Sequence, residues 1–353
     1  MINQDFWSSK KVFVTGNTGF KGSWLTLWLK TLGANVRGYS LKPDTDPNLF
    51  EALKLDKLYY TKFADIRDLT ALQEEIRNFG PDIVFHLAAQ PLVRDSYTDP
   101  IYTFETNIIG TANLLEACRK SEYVSAINVI TTDKCYENTE SLRGYKETDR
   151  LGGHDPYSNS KACAELVTQS YRDSFFSYTN QAVATSRAGN VIGGGDWASD
   201  RLVPDIIRSV YESKKLSIRN PQSYRPWQHV FEPIEGYLQL TEMLYENREK
   251  YCQAWNFGPD SDSPLSVLEI LNLFKKNLPD LSWDVDNDDH PHEANLLMLD
   301  ISKVRSELEW KPKLRLDEAI QEICNWYINY YDNPEKISEY SIEEIQKFMD
   351  ISC

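Results

Sequence analysis

Hydrophobic residues in the first 260 positions form two kinds of segment, short runs that are almost wholly apolar and longer runs that are apolar on one face. The short runs are typical of buried strands, and the longer ones are typical of helices packed on a sheet. Predicted strands occupy 11–15, 35–39, 62–68 (a strand with its exit), 82–87 and 125–130, and predicted helices occupy 23–32, 69–78, 100–121 and 158–175. The alternation predicts βαβ units and a parallel sheet.

A glycine-rich turn joins the first predicted strand to the first predicted helix. Glycines at 16, 19 and 22 allow a tight turn, close approach of a pyrophosphate and close packing of the helix. The N-terminus of that helix offers unpaired N–H groups to the same anion. The turn therefore predicts a dinucleotide site, although its G-x-x-G-x-x-G spacing differs from G-x-G-x-x-G.

The ends of the second and third predicted strands leave the choice of dinucleotide open. An acid after the second strand would bind the ribose 2′-hydroxyl of NAD, but the chain has none there. Arg37 and Lys42 would even suit the 2′-phosphate of NADP. Asp65 could accept from an adenine amino group, or Asp65 or Asp68 could cap the helix that follows.

A tyrosine and a lysine stand four residues apart after Pro156, which marks a helix start, so Tyr157 and Lys161 share one helical face. A free tyrosine has a pKa of about 10 and is a poor base near neutral pH. A nearby ammonium favours the phenolate, as would the positive ring of an oxidised nicotinamide. Lys161 could also donate to a cofactor ribose. The pair suggests a base beside a hydride acceptor, although this spacing is also common on solvated helices.

Polar residues follow the strand at 125–130. Residues just past the carboxyl ends of parallel strands face the ligand crevice, so Thr132, Asp133 and Lys134 should face the same crevice as Tyr157. Small residues after the strand at 82–87 would let a flat cofactor lie against the backbone. His86, within that strand, is expected to be structural.

Composition restricts the class of protein. A chain of 353 residues suits one large or two closely joined domains, and a net charge of −15 argues against nonspecific nucleic-acid binding. The six cysteines match no zinc pattern and favour a reducing, cytoplasmic setting. We find no apolar signal core and no run long enough to span a membrane. His290 and His292 lack a second ligand group at fixed spacing, so no metal site is predicted.

Taken together, these motifs resemble those of the extended short-chain dehydrogenase/reductase superfamily. The matching pieces are Thr15-Gly16-x-x-Gly19-Phe20-x-Gly22, His86-Leu87-Ala88-Ala89, Asn107, Thr132 and Tyr157-x-x-x-Lys161, within residues 11–327. In that superfamily the nucleotide-sugar 4,6-dehydratases place Asp-Glu after the threonine, whereas this chain has Asp133-Lys134. Segments 135–138, 187–197 and 225–230 also resemble that branch.

The resemblance implies an α/β fold, a Rossmann-type doubly wound parallel sheet with a smaller mixed α/β C-terminal substrate domain. The dinucleotide-binding domain would comprise 1–190 and about 229–257, and the nucleotide-sugar-binding domain about 191–228 and 258–353. The resemblance also implies tightly bound, recycled NAD and CDP-glucose as the substrate. Relatives commonly pair helices like 100–120 and 158–175 across a two-fold axis, so a homo-oligomer is expected. Packing of both helices onto their own sheet is the alternative.

The resemblance also implies roles for individual residues. Catalytic residues would be Thr132, Asp133, Lys134, Tyr157 and Lys161. The cofactor would be bound by Gly16, Asn17, Thr18, Gly19, Phe20, Gly22, Asp65, Ile66, Leu87, Ala88, Ala89, Asn107, Thr131, Tyr157 and Lys161. The substrate would be bound by Gln90, Arg94, Asn190, Arg201, Arg219, Arg225 and His292. Guanidinium forks suit a diphosphate in an otherwise acidic chain, although each arginine could instead form a surface ion pair.

The implied reaction removes water from the sugar. Tyr157 takes the proton of the 4-hydroxyl while hydride leaves C4 for NAD, and the resulting ketone acidifies the C5 proton. Lys134 would take that proton and Asp133 would protonate the departing 6-hydroxyl before hydride returns to C6. Three alternatives stay open. They are a nucleotide-sugar 4-epimerase, which needs no acid and base for C5 and C6, a dehydratase for a dTDP- or GDP-sugar, and a noncatalytic dinucleotide-sensing protein.

Overall fold

The computed structural model describes residues 2–141, 143–260, 265–286 and 296–351. Its strands are β1 Lys11–Thr15, β2 Asn35–Ser40, β3 Tyr60–Phe63, β4 Ile83–His86, β5 Ala126–Ile130, β6 Ala182–Ala188, β7 Val191–Ile192, β8 Leu216–Ile218, β9 Tyr224–Arg225, β10 Gln228–His229, β11 Ala254–Phe257, β12 Leu265–Ser266 and β13 Trp283–Val285. Seven of these strands form one parallel sheet in the order β11-β6-β5-β4-β1-β2-β3. The strand order reverses between β1 and β4, and ligands of such sheets bind at that point, beyond the carboxyl ends of the strands. The predicted α/β fold with a doubly wound sheet is confirmed.

The α-helices of the described residues are α1 Gln4–Ser8, α2 Phe20–Thr31, α3 Leu49–Ala52, α4 Leu69–Phe79, α5 Val93–Thr98, α6 Pro100–Phe104, α7 Gly110–Arg119, α8 Pro156–Ser174, α9 Leu202–Tyr211, α10 Phe231–Glu246, α11 Arg248–Tyr251, α12 Val267–Asn277, α13 Ser302–Glu307, α14 Leu316–Asp332 and α15 Ile337–Asp350. None of them combines the length and apolarity needed to cross a bilayer.

Two hydrophobic cores lie on opposite faces of the sheet. Alternate residues of β1 point to opposite faces, so Val12 and Val14 belong to the core that contains Trp28 of α2, whereas Phe13 belongs to the core that contains Leu115 of α7. All five side chains are fully buried. Helices on both faces explain why the strands are apolar throughout rather than alternating.

The prediction of a single continuous helix at 100–121 is wrong. The structure has α6, then a π-helical turn at Glu105–Ile109, then α7. Asn107 lies in that turn, and its side chain pairs with both backbone groups of Gln90, accepting from N at 2.8 Å and donating to O at 3.0 Å. A π-helical turn within a helix changes the direction of a side chain. Here it directs Asn107 towards Gln90, which lies 17 residues earlier in the chain.

Three small sheets and the C-terminal helices complete the described chain. The small sheets pair β7 with β10, β8 with β13 and β9 with β12. Trp326 of α14 lies 6.3 Å from Trp24 of α2, and Phe348 of α15 lies 5.7 Å from Trp28, between ring centroids. The C-terminal helices therefore pack on a helix of the dinucleotide-binding half. The predicted assignment of 258–353 to the other domain stays a prediction.

Candidate active site

Tyr157 and Lys161 stand in the first turns of α8. Asp155 caps this helix, because its carboxylate accepts the backbone N–H of Ser158 at 2.9 Å. Both functional side chains are buried, each with 8% of its surface exposed. Lys161 Nζ donates to the carbonyl oxygen of Ile130 at 3.3 Å, which places the amine at the end of β5. The shared face of the pair is directed into the fold rather than to solvent.

The turn after β5 brings the predicted acid and base to the same place. Asp133 is fully buried, and its Oδ1 accepts from the Thr132 hydroxyl at 2.9 Å. Lys134 Nζ lies 3.7 Å from the same oxygen. The other oxygen, Oδ2, has no hydrogen-bond partner among the described residues. Gly189 makes room for it, because a Cβ at that position would lie 1.7 Å from Oδ2.

Burial dominates the acid–base properties of the pair on α8. It raises the pKa of Tyr157 to about 12, and the Thr132 hydroxyl and the Arg201 guanidinium act in the opposite direction. Burial also lowers the pKa of Lys161 to about 8, opposed by the carboxylate of Glu165. Lys161 is not among the main influences on the phenol. The predicted lowering of the Tyr157 pKa by its neighbouring ammonium is therefore not found.

Glu165, one turn after Lys161, is the centre of a buried network that the sequence analysis missed. Its carboxylate accepts from the Thr131 hydroxyl, from the Thr185 hydroxyl at 2.8 Å and from Arg187 Nη2 at 2.8 Å. Although burial acts to raise it, the pKa of Glu165 is held below its usual value by Arg187 and the hydroxyls. The signal available in the sequence was its spacing, which extends the face of Tyr157 and Lys161 by one turn.

The turn between β1 and α2 is closely packed at two of its three glycines and open at the third. Gly16 has φ of +72°, and a Cβ there would lie 2.6 Å from the backbone nitrogen of Ala88. A Cβ on Gly22 would lie 2.1 Å from the carbonyl oxygen of Gly16, so neither position tolerates a side chain. Gly19 caps α2 and is exposed, and a Cβ there would meet only that carbonyl oxygen, at 3.5 Å. The first N–H groups of α2 can therefore be approached by an anion.

Neighbouring polar side chains fix the shape of this turn. Asn17 Nδ2 donates to the Thr61 hydroxyl at 2.9 Å, and the Thr18 hydroxyl pairs with that of Ser40 at 2.7 Å. Phe20, the first residue of α2, is half-buried. Asn17 and Thr18 thus tie the turn to β2 and β3, and their direct contact with a cofactor stays a prediction.

Of the two acids after β3, Asp68 has the predicted capping role, and the contact of Asp65 with an adenine stays a prediction. Asp68 caps α4, whereas Asp65 accepts from the backbone and side chain of Arg67, which lowers the pKa of its carboxyl group. Arg37 Nη1 lies 2.8 Å from Glu75, so its charge is already paired. One of the two cations that would suit a 2′-phosphate is therefore engaged elsewhere.

The residues predicted to lie against the cofactor after β3 and β4 are buried or half-buried. Ile66, after β3, is buried, and Leu87, Ala88 and Ala89, after β4, are half-buried.

The Gln90 side chain donates to the Leu92 carbonyl and the Thr103 hydroxyl, and its predicted contact with substrate stays a prediction. His86 contacts the hydroxyls of Thr15 at 2.7 Å and Thr111 at 3.0 Å, and burial lowers its pKa to about 3. A neutral histidine held by two hydroxyls has the structural role predicted for it.

Three of the four predicted substrate arginines lie around two aspartates. Arg201 Nη1 lies 2.9 Å from Asp196, Arg94 Nη1 lies 3.0 Å from Asp200, and Arg219 Nη1 lies 3.6 Å from Asp200. Arg94 and Arg219, which are 125 positions apart along the chain, thus lie beside the same aspartate. Each guanidinium has a carboxylate nearby, so a bound diphosphate would exchange partners with it rather than meet a bare cation.

The remaining predicted substrate residues are placed as follows. Asn190 lies just beyond β6 with φ of +49°, and its Oδ1 is buried without a hydrogen-bond partner among the described residues. Arg225 lies on β9 and donates to the carbonyl oxygen of Tyr224. His292 lies outside the described residues. The unpartnered oxygen makes Asn190 the best placed of these for a ligand hydroxyl.

Lys21 is a second charged residue that the sequence analysis missed. It is the second residue of α2 and is half-buried. Burial, followed by the charges of Lys161 and Arg201, lowers the pKa of Lys21 to about 7, against the influence of Asp133. The sequence could have indicated this residue, because Lys21 lies inside the glycine turn that is predicted to bind a diphosphate.

The chain matches one protein family over most of the described fold. Residues 13–258 match the family model described as GDP-mannose 4,6 dehydratase. The chain is 49% identical over 333 residues to a CDP-glucose 4,6-dehydratase of Salmonella typhimurium, with 93% of each chain covered.

Solved structures share the architecture. A UDP-glucose 4-epimerase from Thermotoga maritima superposes with a TM-score of 0.79 at 21% identity, covering 91% of this chain and 99% of the other. A dTDP-glucose 4,6-dehydratase from Streptomyces venezuelae, solved with NAD bound, superposes with a TM-score of 0.77 at 22% identity, covering 92% and 98%. At these identities the superpositions establish the fold.

Proposed function

The chain belongs to the GDP-mannose 4,6 dehydratase family, and we propose that it is an NAD-dependent enzyme that converts CDP-glucose to CDP-4-dehydro-6-deoxyglucose. The observation that carries the proposal is the meeting of Tyr157 on α8 with Thr132, Asp133 and Lys134 at the end of β5. Oxidation at C4 followed by removal of water requires proton transfers at the C4 hydroxyl, at C5 and at the C6 hydroxyl. Tyr157, Lys134 and Asp133 are three groups able to make them. The 49% identity to a CDP-glucose 4,6-dehydratase supports CDP as the nucleotide.

NAD, when bound, would accept a hydride from C4 and return it to C6, so that no net redox change occurs. The open turn of Gly16, Gly19 and Gly22 would hold its diphosphate, and Lys161 would donate to a ribose hydroxyl. The similar dTDP-glucose 4,6-dehydratase structure, which was solved with NAD, supports NAD over NADP. The other residues proposed to line the cofactor are Asn17, Thr18, Phe20, Asp65, Ile66, Leu87, Ala88, Ala89, Asn107 and Thr131.

Tyr157 takes the proton from the 4-hydroxyl in the first step. With a pKa of about 12, the phenol is a poor base at neutral pH. Added positive charge favours the phenolate, and an oxidised nicotinamide would supply such a charge. The Thr132 hydroxyl keeps the phenol oriented. Oxidation is therefore coupled to cofactor binding.

Lys134 and Asp133 carry out the elimination. Lys134 Nζ is 3.7 Å from Asp133 Oδ1, close enough for the ammonium and the carboxylate to act as one unit. Moving one proton from Lys134 to Asp133 makes a neutral amine and a carboxylic acid at the same moment. The amine removes the C5 proton, and the acid protonates the departing 6-hydroxyl. The free Oδ2 of Asp133 is the oxygen available to that hydroxyl.

The nucleotide diphosphate would lie among the arginines near Asp196 and Asp200. Arg94 and Arg201 are held there by carboxylates and would exchange these for phosphate oxygens, with bidentate contacts where the geometry allows. Arg219 Nη1, which lies 3.6 Å from Asp200, has no hydrogen-bond partner among the described residues and would gain one from a phosphate. Asn190 would hold a sugar hydroxyl through its unpartnered oxygen. Arg225, Gln90 and His292 remain proposed substrate contacts.

Incubation with CDP-, dTDP-, GDP- and UDP-glucose, followed by mass spectrometry, tests the function. We expect loss of one water from the sugar nucleotide, with the highest kcat/KM for CDP-glucose. A product of unchanged mass would indicate the 4-epimerase instead, and a higher kcat/KM for another nucleotide would overturn the choice of CDP. Binding of dinucleotide without any turnover would favour the noncatalytic sensor.

The proposed assembly is a homodimer, or a dimer of dimers, built on α6, α7 and α8. Three large apolar side chains on or between these helices are exposed, Ile101 at 65%, Ile109 at 52% and Leu166 at 53%. Exposed apolar residues grouped in this way suit a partner surface. Light scattering should report a dimer or tetramer for the wild type and a smaller particle for Leu166→Asp. A wild-type monomer would contradict the assembly.

We also propose a cytoplasmic setting and no metal centre. The described cysteines, Cys118, Cys135, Cys163, Cys252 and Cys324, are free thiols, which suits a reducing compartment.

A further inference from the structure

Four cationic side chains from separate parts of the chain converge at the carboxyl end of the sheet. Lys21 comes from α2, Lys134 from the turn after β5, Lys161 from α8 and Arg201 from the residue before α9. Arg201 has a carboxylate at 2.9 Å, Lys134 has one at 3.7 Å, and Lys161 donates to a backbone carbonyl. The site is thus locally positive in a chain whose net charge is −15.

Lys21 lies where α2 meets the segment that follows β7. Three residues later on the same helical face, Trp24 Nε1 donates to the carbonyl oxygen of Gly194 at 2.9 Å. The preceding residue, Phe20, is close enough to Gly193 for an added Cβ there to lie 3.0 Å from its ring. Lys21 therefore belongs to the first turn of α2, whose N–H groups are open, and its ammonium is close enough to Lys161, Arg201 and Asp133 to be influenced by their charges.

We propose that Lys21 neutralises the diphosphate of a bound ligand. The inference rests on the proposed function, which supplies two diphosphate esters, that of the dinucleotide and that of the nucleotide sugar. A half-buried ammonium among three other cations is poorly stabilised without an anion, and a diphosphate provides one. The charge-assisted bond from Lys21 would add to those from the backbone N–H groups of α2.

Binding of that diphosphate should be linked to a proton. Burial, together with Lys161, Arg201 and Lys134, lowers the pKa of Lys21 to about 7, and Asp133 opposes them. An anion favours the ammonium and raises this pKa on binding, so the complex takes up a proton and affinity falls as pH rises through 7. Lys161, with a pKa of about 8, changes affinity in the same direction. Comparison with a variant is therefore needed to isolate Lys21.

Calorimetric titration of NAD and, separately, of CDP at about pH 6 and about pH 8.5 tests the proposal. The proteins compared are the wild type, Lys21→Met, Lys21→Arg and the control Lys30→Met, which removes a lysine near the other end of α2. At the lower pH, Lys21→Met should bind at least one ligand about tenfold or more weakly, as expected for a lost charge-assisted bond. Lys21→Arg should retain affinity at both pH values, and Lys30→Met should match the wild type.

The ligand that Lys21→Met binds more weakly identifies the diphosphate that Lys21 contacts. Weaker binding of NAD would indicate the diphosphate of the cofactor, and weaker binding of CDP would indicate that of the substrate. Lys21→Met that binds both ligands as the wild type does would overturn the proposal, whether or not its turnover falls. Loss of affinity in Lys21→Arg as great as in Lys21→Met would overturn it too, since the charge would then not matter. Wild-type protein that binds with the predicted dependence on Lys21 but dehydrates no sugar nucleotide would contradict the proposed function alone.

Discussion

Glu165 and Arg187 form a buried ion pair, with 2.8 Å between Oε2 and Nη2 and only 3% and 4% of their side chains exposed. The pair joins α8, which carries Tyr157 and Lys161, to β6. Because buried charges cost solvation free energy, such a pair adds little net stability to the fold. Removing one partner is nevertheless strongly destabilising, since it leaves the other charge buried and uncompensated. We infer that it fixes the register between the helix and the strand ends that face it.

Glu165→Gln should change both the stability and the pH dependence of the enzyme. It leaves Arg187 buried without its counter-ion, so the free energy of unfolding should fall by about 3–5 kcal/mol. It also removes the charge that raises the pKa of Lys161, so the alkaline limb of kcat/KM should move to lower pH.

The control is Glu322→Gln, which removes the partner of Lys347 in an ion pair with an exposed lysine. It should cost less than about 1 kcal/mol and leave the pH profile unchanged. An alkaline limb that stays in place in Glu165→Gln would contradict the link between Glu165 and Lys161.

Lys134→Met should separate oxidation from elimination. The variant keeps Tyr157 and therefore the first proton transfer, but it lacks the amine that takes the C5 proton. We expect dehydration to slow by about 10²- to 10⁴-fold, the usual range for loss of a general base. Reduced cofactor should then accumulate in a single turnover and be visible by its absorbance.

Lys146→Met is the matched control, since Lys146 is an exposed lysine 3.9 Å from Asp300. It should turn over like the wild type. Dehydration at the wild-type rate by Lys134→Met would remove Lys134 from the chemistry.

Gly189→Ala should damage catalysis more than folding. The added Cβ would lie 1.7 Å from Asp133 Oδ2, so the buried carboxylate must shift. A misplaced catalytic group commonly costs about 10²-fold in rate, whereas overpacking costs about 1–3 kcal/mol of stability. Gly258→Ala, whose Cβ would meet only side-chain atoms at 3.3 Å or beyond, should lose little of either. Full activity in Gly189→Ala would mean that the position of Asp133 is not critical.

Features that depend on local pattern were predictable from the sequence. Apolar strands, the glycine turn and the spacing of Tyr157 and Lys161 each follow from residues close together along the chain, and β1 has the predicted bounds. The break in the helix at Asn107 depends on Gln90, 17 residues away. The role of Glu165 depends on Arg187, 22 residues away. Such partners are brought together only by the fold, so no periodicity reveals them.

The electrostatic environment of the site also could not be predicted from the sequence. Spacing alone suggested that Lys161 would lower the pKa of Tyr157, but the phenol is buried and the amine donates to a backbone carbonyl instead. Desolvation therefore outweighs the neighbouring charge. The lowered pKa of Lys21 has the same origin, since burial is its largest cause.

The fate of the hydrogen at C4 tests the central claim most directly. CDP-glucose carrying deuterium at C4 should give a product with that deuterium at C6, because the hydride removed when Tyr157 takes the 4-hydroxyl proton is returned within the same site. The Tyr157→Phe variant should give almost no product. A dehydrated product without deuterium at C6, found by mass spectrometry and NMR, would contradict the account.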